Sequence, residues 1–131
     1  MTPTTGTGRA RPGRRPVLQL RLGDVWLPIC ERSALIPGRG VAALLPDGRQ
    51  AALFLDRAGR SYAIDNRDPY SGAQVLSRGL TGTRDGRVFV ASPLLKQCFD
   101  LETGRCLDDD SVAVTVYASR LTDSILTDRS E

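Results

Sequence analysis

A chain of 131 residues without a single histidine has room for one domain and must do without imidazole. It can form no Ser-His-Asp or Cys-His nucleophile pair and no His-ligated zinc, haem or iron–sulfur centre. Its net charge of +3 is concentrated at the N-terminus, where Arg9, Arg11, Arg14, Arg15 and Arg21 precede the first acidic residue, Asp24, so that the rest carries 13 cations against 15 carboxylates and offers no basic face for nucleic acid.

Residues 1–16 are rich in Thr, Gly, Pro and Arg and carry almost no apolar side chain, so a disordered leader is expected over 1–20, with the domain over 21–128 and a short tail over 129–131. Arg14-Arg15 invites an export reading. An export signal needs an apolar run behind it, and Arg21 and Asp24 interrupt Val17–Leu22 almost at once. No segment reaches the ~20 apolar residues of a membrane span, so neither membrane nor export is expected.

The body reads as short strands separated by turn residues, the pattern of an all-β domain. Val25–Cys30 is the first apolar run, and Glu31–Leu35 reads as one helical turn stopped by Pro37-Gly38. Val41–Leu45 and Gln50–Leu55 flank Pro46-Asp47-Gly48, where Pro presets φ and Gly accepts a positive one, so they form a hairpin. Ser61–Ile64 follows after Arg57-Ala58-Gly59. From Asp65 to Leu80 alternation stops, which reads as a long loop. A hairpin turn over Thr81–Gly86, a strand at Arg87–Ala91, a second loop at Ser92–Gln97 and a strand at Cys98–Leu101 come next. Val112–Ser119 alternates well enough for a strand, with Val112, Val114 and Val116 on one face, and Ser124–Thr127 reads as a final edge strand.

Few motifs carry chemistry. Gly38-Arg39-Gly40 with Ala43 fits a dinucleotide-binding spacing, but such a turn must follow a strand and open a helix, and Pro46 would break any helix begun there. Asp108-Asp109-Asp110 lacks the alternate spacing, Gly and Glu of a calcium loop and reads as a solvated turn. Ser92 and Lys96 miss the Ser-x-x-Lys spacing by one residue. Cys30, Cys98 and Cys106 show no C-x-x-C spacing, which points to buried thiols in a reducing compartment.

The two loops, with the strands that separate them, are long and ordered enough to carry a resemblance. A Rieske centre is held by one Cys/His pair on each of two facing loops. The run from Tyr62 to Gly104 resembles that frame, with Asp68-Pro69-Tyr70 on the first loop, Ser92-Pro93-Leu94-Leu95 on the second, and Phe99-Asp100 and Thr103-Gly104 behind. The phrases Asp65-Asn66-x-Asp68-Pro69, Val75-Leu76-Ser77-Arg78-Gly79 and Ser92-Pro93-x-x-Lys96-Gln97 are similar, more narrowly, to the small subunit of assimilatory NAD(P)H-dependent nitrite reductase, the NirD family.

The resemblance implies a Rieske-like all-β fold of antiparallel sheets with two ligand-type loops and no iron–sulfur cluster. The Cys/His positions fall on Asp68 and Tyr70 and on Ser92 and Leu95, which supply neither thiolate nor imidazole. The inter-loop disulfide of some Rieske domains falls on Ala73 and Leu94. Tyr70 and Leu95 are expected to fill the space of the cluster, and Asp68 to be exposed or paired with Arg67, Arg78 or Lys96, because an unpaired buried carboxylate is unfavourable. The resemblance further implies a non-catalytic, cytoplasmic subunit without a cofactor of its own. Its partner is a large subunit carrying FAD, a 4Fe-4S cluster and sirohaem, which reduces nitrite to ammonia. Asn66, Arg67, Tyr70, Arg78, Lys96 and Gln97 are the expected docking residues. The alternative is a cluster-free interaction module of another oxidoreductase complex.

Overall fold

The computed structural model describes residues 16–122, and among them nine strands form three antiparallel sheets of three strands each. The first sheet has the order β2-β1-β9, from β1 (Val17–Leu22), β2 (Val25–Glu31) and β9 (Ser119–Thr122). The second is β3-β4-β5, from β3 (Val41–Leu44), β4 (Gln50–Leu55) and β5 (Ser61–Asp65). The third is β6-β7-β8, from β6 (Leu80–Arg84), β7 (Arg87–Ala91) and β8 (Cys98–Asp100).

The all-β architecture agrees with the turn-punctuated sequence, and β4 organises it. Its Ala-Ala-Leu-Phe-Leu run is apolar at consecutive positions, as a strand buried on both faces requires. Ala52 and Phe54 point to one core with Tyr62, Ile64, Leu76, Val90, Phe99, Leu101, Cys106 and Val114. Ala51, Leu53 and Leu55 point to the other, with Leu18, Leu20, Leu35, Leu45, Ala63 and Tyr117. The second sheet is therefore the middle layer, packing the first sheet on one face and the third on the other. Turn chemistry sets the registers. Asp85 and Gly86 both take positive φ, 52° and 81°, as the two-residue turn joining β6 to β7 requires.

Two segments depart from the sequence reading. Residues 17–20, placed in the leader, belong to β1, where Val17, Leu18 and Leu20 are buried; in a central strand flanked on both sides, the apolar residues outweigh the flanking Arg21. Val112–Ser119 is not one strand. It changes partner as it crosses the molecule: the Val114 amide donates to Gly104, the Thr115 carbonyl accepts from Asp65, and the Tyr117 amide donates to Ala63. Its ladder is thus reduced to bridges at Ala113 and Val116, and the alternation slips, leaving Val116 exposed and Tyr117 buried. The expected strand at Ser124–Thr127 lies outside the described residues.

Candidate functional site

The two loops are built to one plan. In the first, the Asp68 amide donates to the Ala73 carbonyl (2.8 Å) and the Asp68 carbonyl accepts from the Gly72 amide (2.7 Å). In the second, the Ser92 amide donates to the Gln97 carbonyl (2.9 Å) and the Ser92 carbonyl accepts from the Lys96 amide (3.0 Å). Each opening residue also caps the amide two places on: Asp68 Oδ1 accepts from Tyr70 (2.8 Å) and Ser92 Oγ from Leu94 (3.3 Å). Short polar side chains favour such turns because their oxygen reaches the i+2 amide. A third loop repeats the plan at Asp100, whose amide donates to Arg105, whose carbonyl accepts from Gly104, and whose Oδ1 accepts from Glu102.

The first two loops are tied to each other through their opening residues. Ser92 Oγ donates to Asp68 Oδ2 across 2.6 Å, and both residues are fully buried. This corrects the expectation for Asp68: it is neither exposed nor paired with Arg67, Arg78 or Lys96. A hydroxyl and a backbone amide satisfy its two oxygens, so no cation is needed. The clasp is polar, and its two partners lie 24 residues apart.

Tyr70 covers the core beneath. Its ring lies 6.3 Å from that of Phe99, and its hydroxyl donates to Cys106 Sγ at 3.6 Å. That hydrogen bond, with burial behind it, pushes the phenol up to about 12. Leu95 does not share this role. It stands 52 % exposed beside Leu94 at 51 %, on the turn whose Leu94 amide is capped by Ser92.

The expected docking residues divide. Arg67, Arg78 and Lys96 are exposed, Tyr70 is 37 % exposed, and Arg67 lies over Gly72 in its own loop. Asn66 is a correction: it is buried, accepting at Oδ1 from the Ser77 amide (2.7 Å) and donating to Gln50 Oε1 (3.0 Å). It fastens the first loop to the 3-10 turn Leu76–Arg78 and to β4, and cannot face a partner. Gln97 is half-buried with its Oε1 enclosed. Arg78 lines a groove with the Ile36–Gly40 turn.

Sequence reasoning missed Asp100. Fully buried, it binds Arg87 through Oδ2 and the Glu102 and Thr103 amides through Oδ1. Burial alone would raise its carboxyl, but Arg87 and the two amides outweigh it and hold the group below its ordinary value. The signal was present in the Asp-x-x-x-Gly spacing shared by Asp68–Gly72 and Asp100–Gly104.

A model of the Rieske-like [2Fe-2S] domain matches residues 25–127. The NADH nitrite reductase small subunit of Salmonella typhimurium is 41 % identical over 102 residues, covering 77 % of this chain and 94 % of that one. The chain belongs to the nitrite reductase small-subunit family. The solution structure of Escherichia coli NirD superposes with a TM-score of 0.66 at 42 % identity, over 72 % of this chain and 86 % of that one. A nitrite reductase [NAD(P)H] large subunit from Klebsiella oxytoca also matches, 44 % identical over 93 residues, which are 70 % of this chain and 9 % of that protein. The fold and family read from the loop motifs are those found.

The cluster that gives the domain family its name does not fit this member. At the four positions that the resemblance assigns to the ligands, Asp68, Tyr70, Ser92 and Leu95 offer a carboxylate, a phenol, a hydroxyl and an isobutyl group, and the Asp68 and Ser92 oxygens are already hydrogen-bonded to each other. Iron–sulfur centres are held by soft thiolates. Among the described residues no group of three or more His, Cys, Asp or Glu side chains could hold a metal ion, and no helix is long and apolar enough to cross a membrane.

Proposed function

We propose that this chain is the non-catalytic small subunit of a cytoplasmic, assimilatory NAD(P)H-dependent nitrite reductase, docking by its two-loop end onto a large subunit that reduces nitrite to ammonia. The single observation that carries this reading is the Asp68–Ser92 clasp. It keeps two ligand-type loops in place by protein hydrogen bonds, so the shape of a redox domain persists without its metal-binding groups, in a chain similar over most of its length to nitrite reductase small subunits. The Klebsiella match supports the partner, since a homologous segment there is part of a protein named as a large subunit.

In this reading FAD, the 4Fe-4S cluster and sirohaem belong to the large subunit, as does the electron path from NAD(P)H to nitrite. The small subunit supplies contact surface. Arg67, Tyr70, Arg78 and Lys96 are its polar and aromatic members, with Leu94 and Leu95 as apolar ones; Arg and Tyr are enriched where interfaces are strongest.

The test is affinity capture of the full chain from cells growing on nitrite. Co-purification of a flavin- and sirohaem-containing protein with NAD(P)H-nitrite reductase activity is the expected result. Capture of a different oxidoreductase, or undiminished nitrite reduction after deletion of this chain, would sink the reading.

A further inference from the structure

The loops opened by Asp68, Ser92 and Asp100 share their hydrogen bonds, and in each the fifth residue turns left-handed: Gly72 at φ 79°, Lys96 at 69° and Gly104 at 78°. Two of the three use glycine, which reaches this region freely, while an L side chain occupies it at a cost. Asp85 is the other non-glycine residue with positive φ among those described, and its two-residue hairpin turn demands it. Nothing in the second loop demands a lysine. The Lys96 side chain is exposed and has no hydrogen bond or ion pair among the described residues. The nearby acidic run does not answer it: Asp108 is engaged by the Cys98 amide and Arg84, and Asp109 by Ser111. A side chain kept in an unfavourable conformation without an internal partner points to a role outside the molecule.

Its neighbours indicate what. Leu94 and Leu95 are each about half exposed, so the turn presents two apolar side chains ending in a cation, and the exposed Arg67 on the adjoining loop makes no ion pair among the described residues. Apolar contact bounded by charge is the composition of a docking surface, and the sign of the charge selects the partner.

We propose that the Leu94–Leu95–Lys96 turn is the anchor of the docking surface, and that it seats on a patch of the large subunit where an apolar depression is rimmed by carboxylates. This deepens the subunit reading and rests on it. Lys96 is then held strained in the free chain for the sake of the complex, so stability and binding respond to its replacement with opposite signs.

The experiment titrates the full chain against purified large subunit at low and at raised ionic strength, alongside thermal melts of the free chain. Lys96→Gly is expected to melt higher by about 4 °C, to bind at least tenfold more weakly at low salt, and to show a shallower salt dependence than the native chain. Lys96→Arg is expected to keep native melting and near-native binding, while Leu94→Ser/Leu95→Ser binds at least tenfold more weakly with an unchanged salt dependence. Binding of Lys96→Gly within twofold of native, or a variant that melts no higher, would overturn the proposal. If the native chain itself fails to bind the large subunit, the subunit reading falls and the anchor with it; if native and Lys96→Gly bind alike, only the anchor falls.

Discussion

Ser92 donates its hydroxyl hydrogen bond to a carboxylate oxygen shut away from water, so the bond is worth more than an exposed one and more costly to lose. Ser92→Ala should destabilise the chain by about 1–3 kcal/mol, read as a lower denaturation midpoint at unchanged slope. Asp68→Ala/Ser92→Ala should cost less than the sum of the two single changes, because one bond joins them; strict additivity would mean that the clasp does not form. The Arg87–Asp100 pair sets an acid limit. Asp100 is held below its ordinary carboxylate value, so the stability its ionised form contributes is fully present above about pH 4 and is lost as pH falls through the lower folded value. Arg87→Met removes the guanidinium that offsets burial, raises the folded value and should move acid unfolding to higher pH. An unchanged acid midpoint by circular dichroism would contradict this.

Among the elements, the backbone contacts around the loops leave least room for change. A Cβ on Gly79 would sit 2.2 Å from the Ala91 carbonyl oxygen, and one on Gly40 2.3 Å from that of Ser77. Both neighbours are main chain and cannot swing aside. Gly79→Ala should therefore cost about 2 kcal/mol or more by lifting β6 from the root of the second loop, whereas Gly40 holds the Ile36–Gly40 turn against the 3-10 turn Leu76–Arg78. Equal melting temperatures for Gly79→Ala and the native chain would refute this close approach. Strands with local cues were readable in the sequence: β4 and β7 have the bounds expected from Gln50–Leu55 and Arg87–Ala91. Elements that depend on distant partners were not. β1 is recognisable only once β2 and β9 flank it, and the 112–119 segment alternates like a strand while its partners change beneath it. The same division runs through the site. Position along the loops was legible from the Asp-Pro and Ser-Pro phrases, but the inward turn of Asn66, the outward turn of Leu95 and the burial of Asp68 depend on contacts made by residues far away in sequence.

At the scale of the molecule, three sheets share two cores divided by β4, and the crossing segment at 112–119 links all three layers by hydrogen bonds. The arrangement holds both loops at one end through hydrogen bonds of the protein itself. Incubating the purified chain with ferrous iron and sulfide under reducing conditions should yield no stably bound iron and no visible absorption after desalting, since the Asp68 and Ser92 oxygens are committed to each other; retained stoichiometric iron would refute the donor-set argument. That bond also bears on how the protein is made. A domain whose loops are fastened by metal gains that part of its folding free energy only when the metal binds. Fastened instead by an acid and an alcohol drawn from its own polypeptide, these two loops take their relative position in the act of folding itself.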